Sequence, residues 1–344
     1  MEMIDFSNLD KVFIIAELSA NHNGSLKTAI ETVRAAKRAG ADAIKLQTYT
    51  ADTMTINSND SDFTINNGSI WDGKSFYELY EEAHTPWEWH SKLFKVAREE
   101  GLICFSSPFD KKAVDFLEDL SVPCYKIASF EITDIPLIEY VASKGKPIIL
   151  STGIARLEDI ELALKTIRSI GDNQIVLLKC TSSYPSPLTE ANLLMIPEFK
   201  NHFGVIPGLS DHSLGSTAPV VATCLGAKII EKHFILDRTI GGPDASFSLD
   251  ENEFSQLVKD IRNAESALGE VSYTLTKSQE KARDFSRSLF IIKDVKEGEI
   301  IGHSNIGSLR PNIGIAPKNL SLILGKKFNG VFKKGTPLQE NMFL

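Results

Sequence analysis

Eight short apolar runs recur through the first ~270 residues, each followed by a stretch with helical spacing and nearly all closing on polar side chains. They are VFIIAELS (12–19), AIKLQT (43–48), ICFSSPF (103–109), CYKIAS (124–129), PIILST (147–152), IVLLKCT (175–181), VIPGLSD (205–211) and KIIEKHF (228–234). Their interiors are Ile, Leu, Val and Phe without clean polar alternation, as in strands covered on both faces. Eight βα repeats of this kind predict an α/β fold, a (β/α)8 TIM barrel, whose chemistry lies at the carboxyl ends of the strands. Those ends carry Glu17, Lys45, Gln47, Ser107, Lys126, Ser129, Glu131, Ser151, Ser210, His212, Glu231 and His233. Packing alone requires none of them.

Helix signals fill the gaps. Ser25 is placed to cap a helix in which Leu26, Ala29, Ile30, Val33 and Ala36 recur before Gly40. Similar spacing predicts helices near 87–100, 111–120, 136–144, 157–170, 188–201, 216–225 and 251–268, the last with a single stripe from Phe254 to Leu268. One connection is long: residues 51–73, rich in Asn, Ser, Asp and Thr, read equally well as a substrate lid or as an idle insertion. The barrel is expected over residues 1–270 and a polar linker over 271–284. A small β-rich domain follows over 285–344, with β-like runs SLFIIKDV (288–295) and EIIG (299–302) around a turn at Gly298.

With 344 residues, 42% of them hydrophobic, the chain can bury a full barrel and a second small core. A net charge of -8 without a basic tract argues against nucleic acid as a partner. The amino terminus MEMIDFSNLD has neither a basic nor an apolar leader segment, and no run is long enough for a membrane span. Cys104, Cys124, Cys180 and Cys224 match no CxxC spacing and are expected as small buried apolar residues. A reduced, cytoplasmic protein follows as the expectation.

Two histidines, His212 in GLSDHS and His233 in EKHF, end neighbouring strands, which lie ~4.8 Å apart, so their imidazoles can share one cation. They serve equally well as hydrogen-bonded histidines of the barrel mouth. Lys45 and Lys126, with Ser107, Ser129, Ser151, Ser182 and Ser210 on adjacent ends, suit a small polyanion such as a phosphate ester. Glu17, Glu131 and Asp244 supply carboxylates for a general base, a sugar hydroxyl or an ion pair; spacing does not assign their roles.

The strings IAELSANHNGS, IKLQTYT, FSSPF, YKIASFE, LSTG, CTSSYP, GLSDHS, EKHF and GGPD, in this order, resemble the sialic acid synthase family. RSLFIIKDVKEGEII and LRPNIG in the tail are similar to its antifreeze-like, or SAF, domain. The resemblance implies a transferase that condenses phosphoenolpyruvate with an acylamino hexose, giving a nine-carbon 2-keto sugar acid and phosphate by C–O cleavage. It implies phosphoenolpyruvate at Lys45, Ser107, Lys126, Ser129, Ser151, Ser182, Tyr184 and Ser210, and a divalent cation, Mn2+ or Mg2+, at His212 and His233. Gln47, Glu131 and Asp244 would face the sugar, and Glu17 or the cation would assist water addition. It further implies a homodimer in which Arg310 reaches from the tail of one subunit into the other's barrel.

Two departures bear on the sugar. Phe130 stands where N-acetylneuraminate-making members carry Gly, and Tyr49 where many carry His. Both suit a less hydroxylated substrate such as 2,4-diacetamido-2,4,6-trideoxy-L-altrose, although either residue could simply pack. Ser182 replaces an Asn of other members. The remaining alternatives are another acetamido hexose, as in the N-acetylneuraminate- and legionaminate-making branches, a synthase of shorter keto acids, and a non-catalytic sugar-binding scaffold.

Overall fold

The computed structural model describes residues 3–66 and 68–344 and divides the chain into two compact units between Gly269 and Glu270. In the first, eight parallel strands close in chain order: β1 (Phe13–Glu17), β2 (Ala43–Thr48), β3 (Ile103–Pro108), β4 (Tyr125–Ile127), β5 (Ile148–Ser151), β6 (Ile175–Cys180), β7 (Ile206–Asp211) and β8 (Ile229–His233), with β8 pairing back to β1. Each expected apolar run holds one strand.

The runs do alternate, but between two apolar environments. Phe13, Ile15, Ala43, Phe105, Cys124, Ile149, Val176, Leu178 and Ile229 fill the barrel interior, joined by Phe6, whose ring meets Phe13 edge-on at 5.7 Å. Their neighbours Ile14, Ala16, Ile44, Leu46, Ile148, Leu150, Leu177 and Ile230 pack outward with the helices. Each fully buried side chain of this size contributes ~1.5–3 kcal/mol. Continuing the inward column by two residues turns it polar: Ile15 leads to Glu17, Ala43 to Lys45, Phe105 to Ser107, Cys124 to Lys126, Ile149 to Ser151 and Ile229 to Glu231. Gly208 keeps the interior of β7 clear, since a Cβ there would stand 2.5 Å from Leu178 Cδ2 and 2.6 Å from the Ile229 carbonyl.

Helices Leu26–Arg38, Trp87–Glu99, Lys111–Asp119, Ile135–Ala142, Leu157–Ile170, Thr217–Cys224 and Glu251–Leu268 occupy the expected stretches. Ser25 caps the first by accepting from the Thr28 amide at 3.2 Å. The stretch 188–201 departs from the reading: it splits into a turn at Leu188–Glu190 and a helix at Met195–Phe203. Asn192, at φ +44°, interrupts the helical path, and Pro197 falls in the first turn of the restarted helix, where its missing N–H costs nothing. Within and after the long connection lie short turns at Ala51–Met54 and Ser61–Phe63 and an unexpected helix, Phe76–Ala83, whose capping box of Ser75 and Glu78 was readable in the sequence. Cys104, Cys124 and Cys180 are buried, but Cys224 is exposed, a correction to the reading of all four as core residues. It ends its helix on the side turned to solvent.

The second unit holds an antiparallel pair, β9 (Ser288–Ile291) and β10 (Ile306–Leu309), around a core that includes Leu289, Ile291, Val295, Ile301, Phe328 and Leu338. Residues 299–302 do not form the expected second strand. Ile301 makes only one short backbone exchange, with Lys326 and Gly325, while its side chain enters the core. Thr276 caps a short helix at Lys277–Ala282. Among the described residues no helix is long and apolar enough to cross a membrane.

Candidate active site

Glu17, Lys45, Lys126 and Glu231 converge from the ends of β1, β2, β4 and β8, all of them buried. Lys45 pairs with Glu17, donates to Ser107 Oγ at 3.3 Å and lies 3.9 Å from Glu231 Oε1. Lys126 donates to Ser151 Oγ at 2.6 Å and lies 3.8 Å from the same Glu231 oxygen, which also accepts from Ser210 Oγ at 3.0 Å. Two ammonium groups and two carboxylates thus balance in one pocket. Burial, opposed by Lys45 and reinforced by Glu231, pushes the Glu17 carboxyl up to about 7. Burial acts on Glu231 too, but Lys126 and Lys45 outweigh it and hold that carboxyl below its usual range. Burial also depresses Lys126, whereas at Lys45 it is outweighed by Glu17 and Glu231, which raise the ammonium.

Hydroxyls surround the lysines. Beyond Ser107, Ser151 and Ser210, the Ser129 Oγ accepts from the Gly153 amide at 3.0 Å, and Ser182 Oγ is buried without a hydrogen-bond partner. Gly153 is what admits them, since a Cβ there would stand 2.0 Å from Ser182 Oγ and 2.7 Å from Ser129 Oγ. Such a cradle of ammonium and hydroxyl donors matches a phosphate or carboxylate.

The imidazoles of His212 and His233 lie side by side, their ring centroids 5.3 Å apart and their planes tilted by 59°. His212 commits Nδ1 to the Thr181 carbonyl at 2.9 Å, leaving Nε2 for another partner, and Cys180 Sγ stands 3.8 Å from the same Nδ1. His233 Nδ1 is buried without a hydrogen-bond partner, 3.8 Å from Asp244 Oδ2. Asp244 in turn accepts from Ser19 Oγ at 2.5 Å. Burial, together with nearby positive charge, holds His233 far below the usual histidine value, so it is a neutral imidazole with a lone pair to offer. The donor set therefore fits a divalent cation. Among the described residues no group of three or more His, Cys, Asp or Glu is arranged to hold a metal ion; His212 and His233 are the residues that would hold one here.

Next to the histidines opens a cavity of about 460 Å³ lined by Gln47, Glu131, Asp244, His233 and Tyr184 on its polar side. Burial pushes Glu131 up to about 7, and its Oε2 has no hydrogen-bond partner. Tyr49 and Phe130, the two departures noted in the sequence, both line this cavity. Tyr49 is buried with its ring edge-on to Phe109 at 5.1 Å and to Tyr80 at 5.8 Å, while Phe130 stands exposed on the rim. From the long connection Ile65, Ser69 and Trp71 line the cavity. Trp71 donates its indole N–H to the Pro243 carbonyl at 3.1 Å, with its ring 5.5 Å from Tyr184.

Glu17, Lys45, Gln47, Ser107, Lys126, Ser129, Glu131, Ser151, Ser182, Tyr184, Ser210, His212, His233 and Asp244 thus meet at one barrel mouth. Arg310 belongs to the second unit, where it is exposed just after β10. Sequence reading gave Glu231 no role, although stepping back two residues from His233 marks it as inward. It treated Cys180 as filler and passed over Ser19, although that residue closes the first run, and Trp71, which lies in the long connection.

The model described as the NeuB family matches residues 32–273, and that of the SAF domain matches residues 286–344. The chain is 48% identical to the pseudaminic acid synthase of Campylobacter jejuni over 100% of both chains. It is 49% identical to the pseudaminic acid synthase of Helicobacter pylori, covering 95% of this chain and 96% of that one. A crystal structure of the N-acetylneuraminic acid synthetase of Leptospira borgpetersenii in complex with citrate superposes with a TM-score of 0.71 at 30% identity, over 81% of this chain and 94% of that one. The chain belongs to the NeuB family, the sialic acid synthases, and carries a SAF domain at its carboxyl end.

Proposed function

We propose that this enzyme condenses phosphoenolpyruvate with 2,4-diacetamido-2,4,6-trideoxy-L-altrose, giving a nine-carbon nonulosonic acid and inorganic phosphate. The observation that carries the reading is that Lys45 and Lys126 meet the same Glu231 oxygen beside the adjacent pair His212 and His233. Near-identity in length to the pseudaminic acid synthases, at 48% sequence identity, supports the choice of sugar.

In this reading Lys45, Lys126 and the hydroxyls of Ser107, Ser129, Ser151, Ser182 and Ser210 hold phosphoenolpyruvate, with Tyr184 beside them. Gln47, Glu131 and Asp244 receive the sugar. His212 and His233 would hold a divalent cation, Mn2+ or Mg2+, which when bound would supply Lewis acidity toward the aldehyde oxygen of the open-chain sugar. The C3 of phosphoenolpyruvate forms a bond to C1 of the sugar, the aldehyde π pair passes to its oxygen, which takes up a proton to become a hydroxyl, and positive charge develops at C2, where the carboxylates of Glu17 and Glu231 favour it. Water adds at C2 and Glu17 takes its proton. The tetrahedral adduct then expels phosphate with cleavage of the C–O bond, and Lys126 and Lys45 stabilise the departing charge.

The same proposal includes a homodimer in which the SAF domain of each copy lies over the other's barrel mouth, bringing Arg310 to the substrates. The exposure of Arg310, and of Val271 and Tyr273 at 98% and 100%, supports a covering partner. A cytoplasmic location is part of it, in keeping with the four free cysteines. The test is phosphate release from phosphoenolpyruvate with a panel of deoxy and non-deoxy acetamido hexoses and added manganese, followed by product mass. A nine-carbon product retaining both acetyl groups is expected; no sugar-dependent phosphate release overturns the reading.

A further inference from the structure

The cavity beside His233 has an uneven chemistry. Gln47, Glu131 and Asp244 give it hydrogen-bonding groups, whereas the chain between residues 51 and 83 gives it Met54, Ile65, Trp71, Phe76 and Leu79, with hydroxyls at Tyr80 and at Ser69, the latter bonded to Asp72. This segment is held in place at several points. Trp71 commits its only side-chain donor to Pro243, Ile65 is buried, and Tyr80 packs on Tyr49 and stacks on Phe76 at 6.3 Å. With its N–H engaged, Trp71 has only apolar and π surface left to offer a ligand. A hydroxyl seated against the Trp71 ring would lose its water without gaining a partner from the indole.

We infer that this wall is the subsite for a deoxygenated, methyl-bearing edge of the hexose, and that Trp71 is a specificity-determining residue distinguishing methyl from hydroxymethyl at C6. The inference rests on the acetamido-hexose reading above and adds the surface that discriminates. Apolar pockets distinguish such groups by ~10–200-fold, so the preference is expected in that range.

The test uses the full-length enzyme and two acetamido hexoses that differ only in bearing a methyl or a hydroxymethyl at C6, with phosphate release as the assay. Wild type is expected to favour the methyl sugar in kcat/KM by ~10-fold or more. Trp71→Ala should reduce that ratio below about 3-fold through a raised KM for the methyl sugar, with the KM for phosphoenolpyruvate unchanged, and Trp71→Phe should keep most of the preference. Ile65→Thr, which places a hydroxyl in the wall and shortens the side chain by one carbon, should improve the hydroxymethyl sugar and so reports independently if Trp71→Ala fails to fold. Turnover of both sugars with a ratio unmoved by Trp71→Ala and Ile65→Thr overturns this inference alone. Turnover of neither sugar by wild type overturns the functional reading beneath it.

Discussion

Lys45 and Lys126 direct their ammonium groups at one oxygen of Glu231, from 3.9 and 3.8 Å, although they start from different strands. The shared carboxylate keeps two buried cations close enough together to grip one small anion. Glu231→Gln preserves the shape and the bond from Ser210 but removes the counter-charge. Unfolding free energy should fall by ~3 kcal/mol, because two buried ammoniums then repel with less compensation. Denaturant titration with and without inorganic phosphate checks this. Phosphate should stabilise the variant more than the wild type, and equal stabilisation would show that the lysines do not share a site.

Gly153 has no room for a side chain between Ser129 and Ser182. In Gly153→Ala the new methyl must displace both hydroxyls, one of which also accepts the Gly153 amide. Steady-state kinetics should give a KM for phosphoenolpyruvate raised ~10-fold or more, corresponding to about 1.4 kcal/mol, with the KM for the sugar little altered. A rise confined to the sugar would place the anion elsewhere.

Glu131 is a buried carboxyl raised from 4.5 to about 7, chiefly by burial. Its proton is bound more tightly in the folded than in the unfolded chain, so below the unfolded value it costs nothing, and stability falls as pH rises toward about 7. The full cost, ~3 kcal/mol, persists above that. Glu131→Gln cannot ionise. It should match the wild type near pH 4.5 and exceed it by roughly this amount at pH 8 in urea unfolding. A constant difference across the range would mean that the carboxyl is not buried in its charged form.

His212 and His233 are expected to bind manganese with neutral imidazoles. Replacing either with Ala should weaken manganese binding, read by calorimetry or by electron paramagnetic resonance, by at least ~10-fold, and Asp244→Asn should weaken it less. Chelation should abolish phosphate release and manganese should restore it. Unchanged manganese affinity in both histidine variants would remove the pair as the cation site.

The sequence by itself determined the barrel, because eight apolar runs ending in polar residues can bury their faces in few other ways, and each run became one strand. It also nominated most of the mouth, since Lys45, Lys126, the serines and the two histidines sit at strand ends where packing alone does not call for them. What it left undecided were relations between residues far apart in the chain. That Glu231 balances two lysines, that Cys180 touches His212 and that Trp71 reaches Pro243 depend on how eight strands bring their ends together. Asn192 breaking a helix and Cys224 facing solvent were likewise settled by the path and orientation of the packed helices. Periodicity records which face of an element is buried; only closure of the barrel decides which side chains share the space inside its mouth.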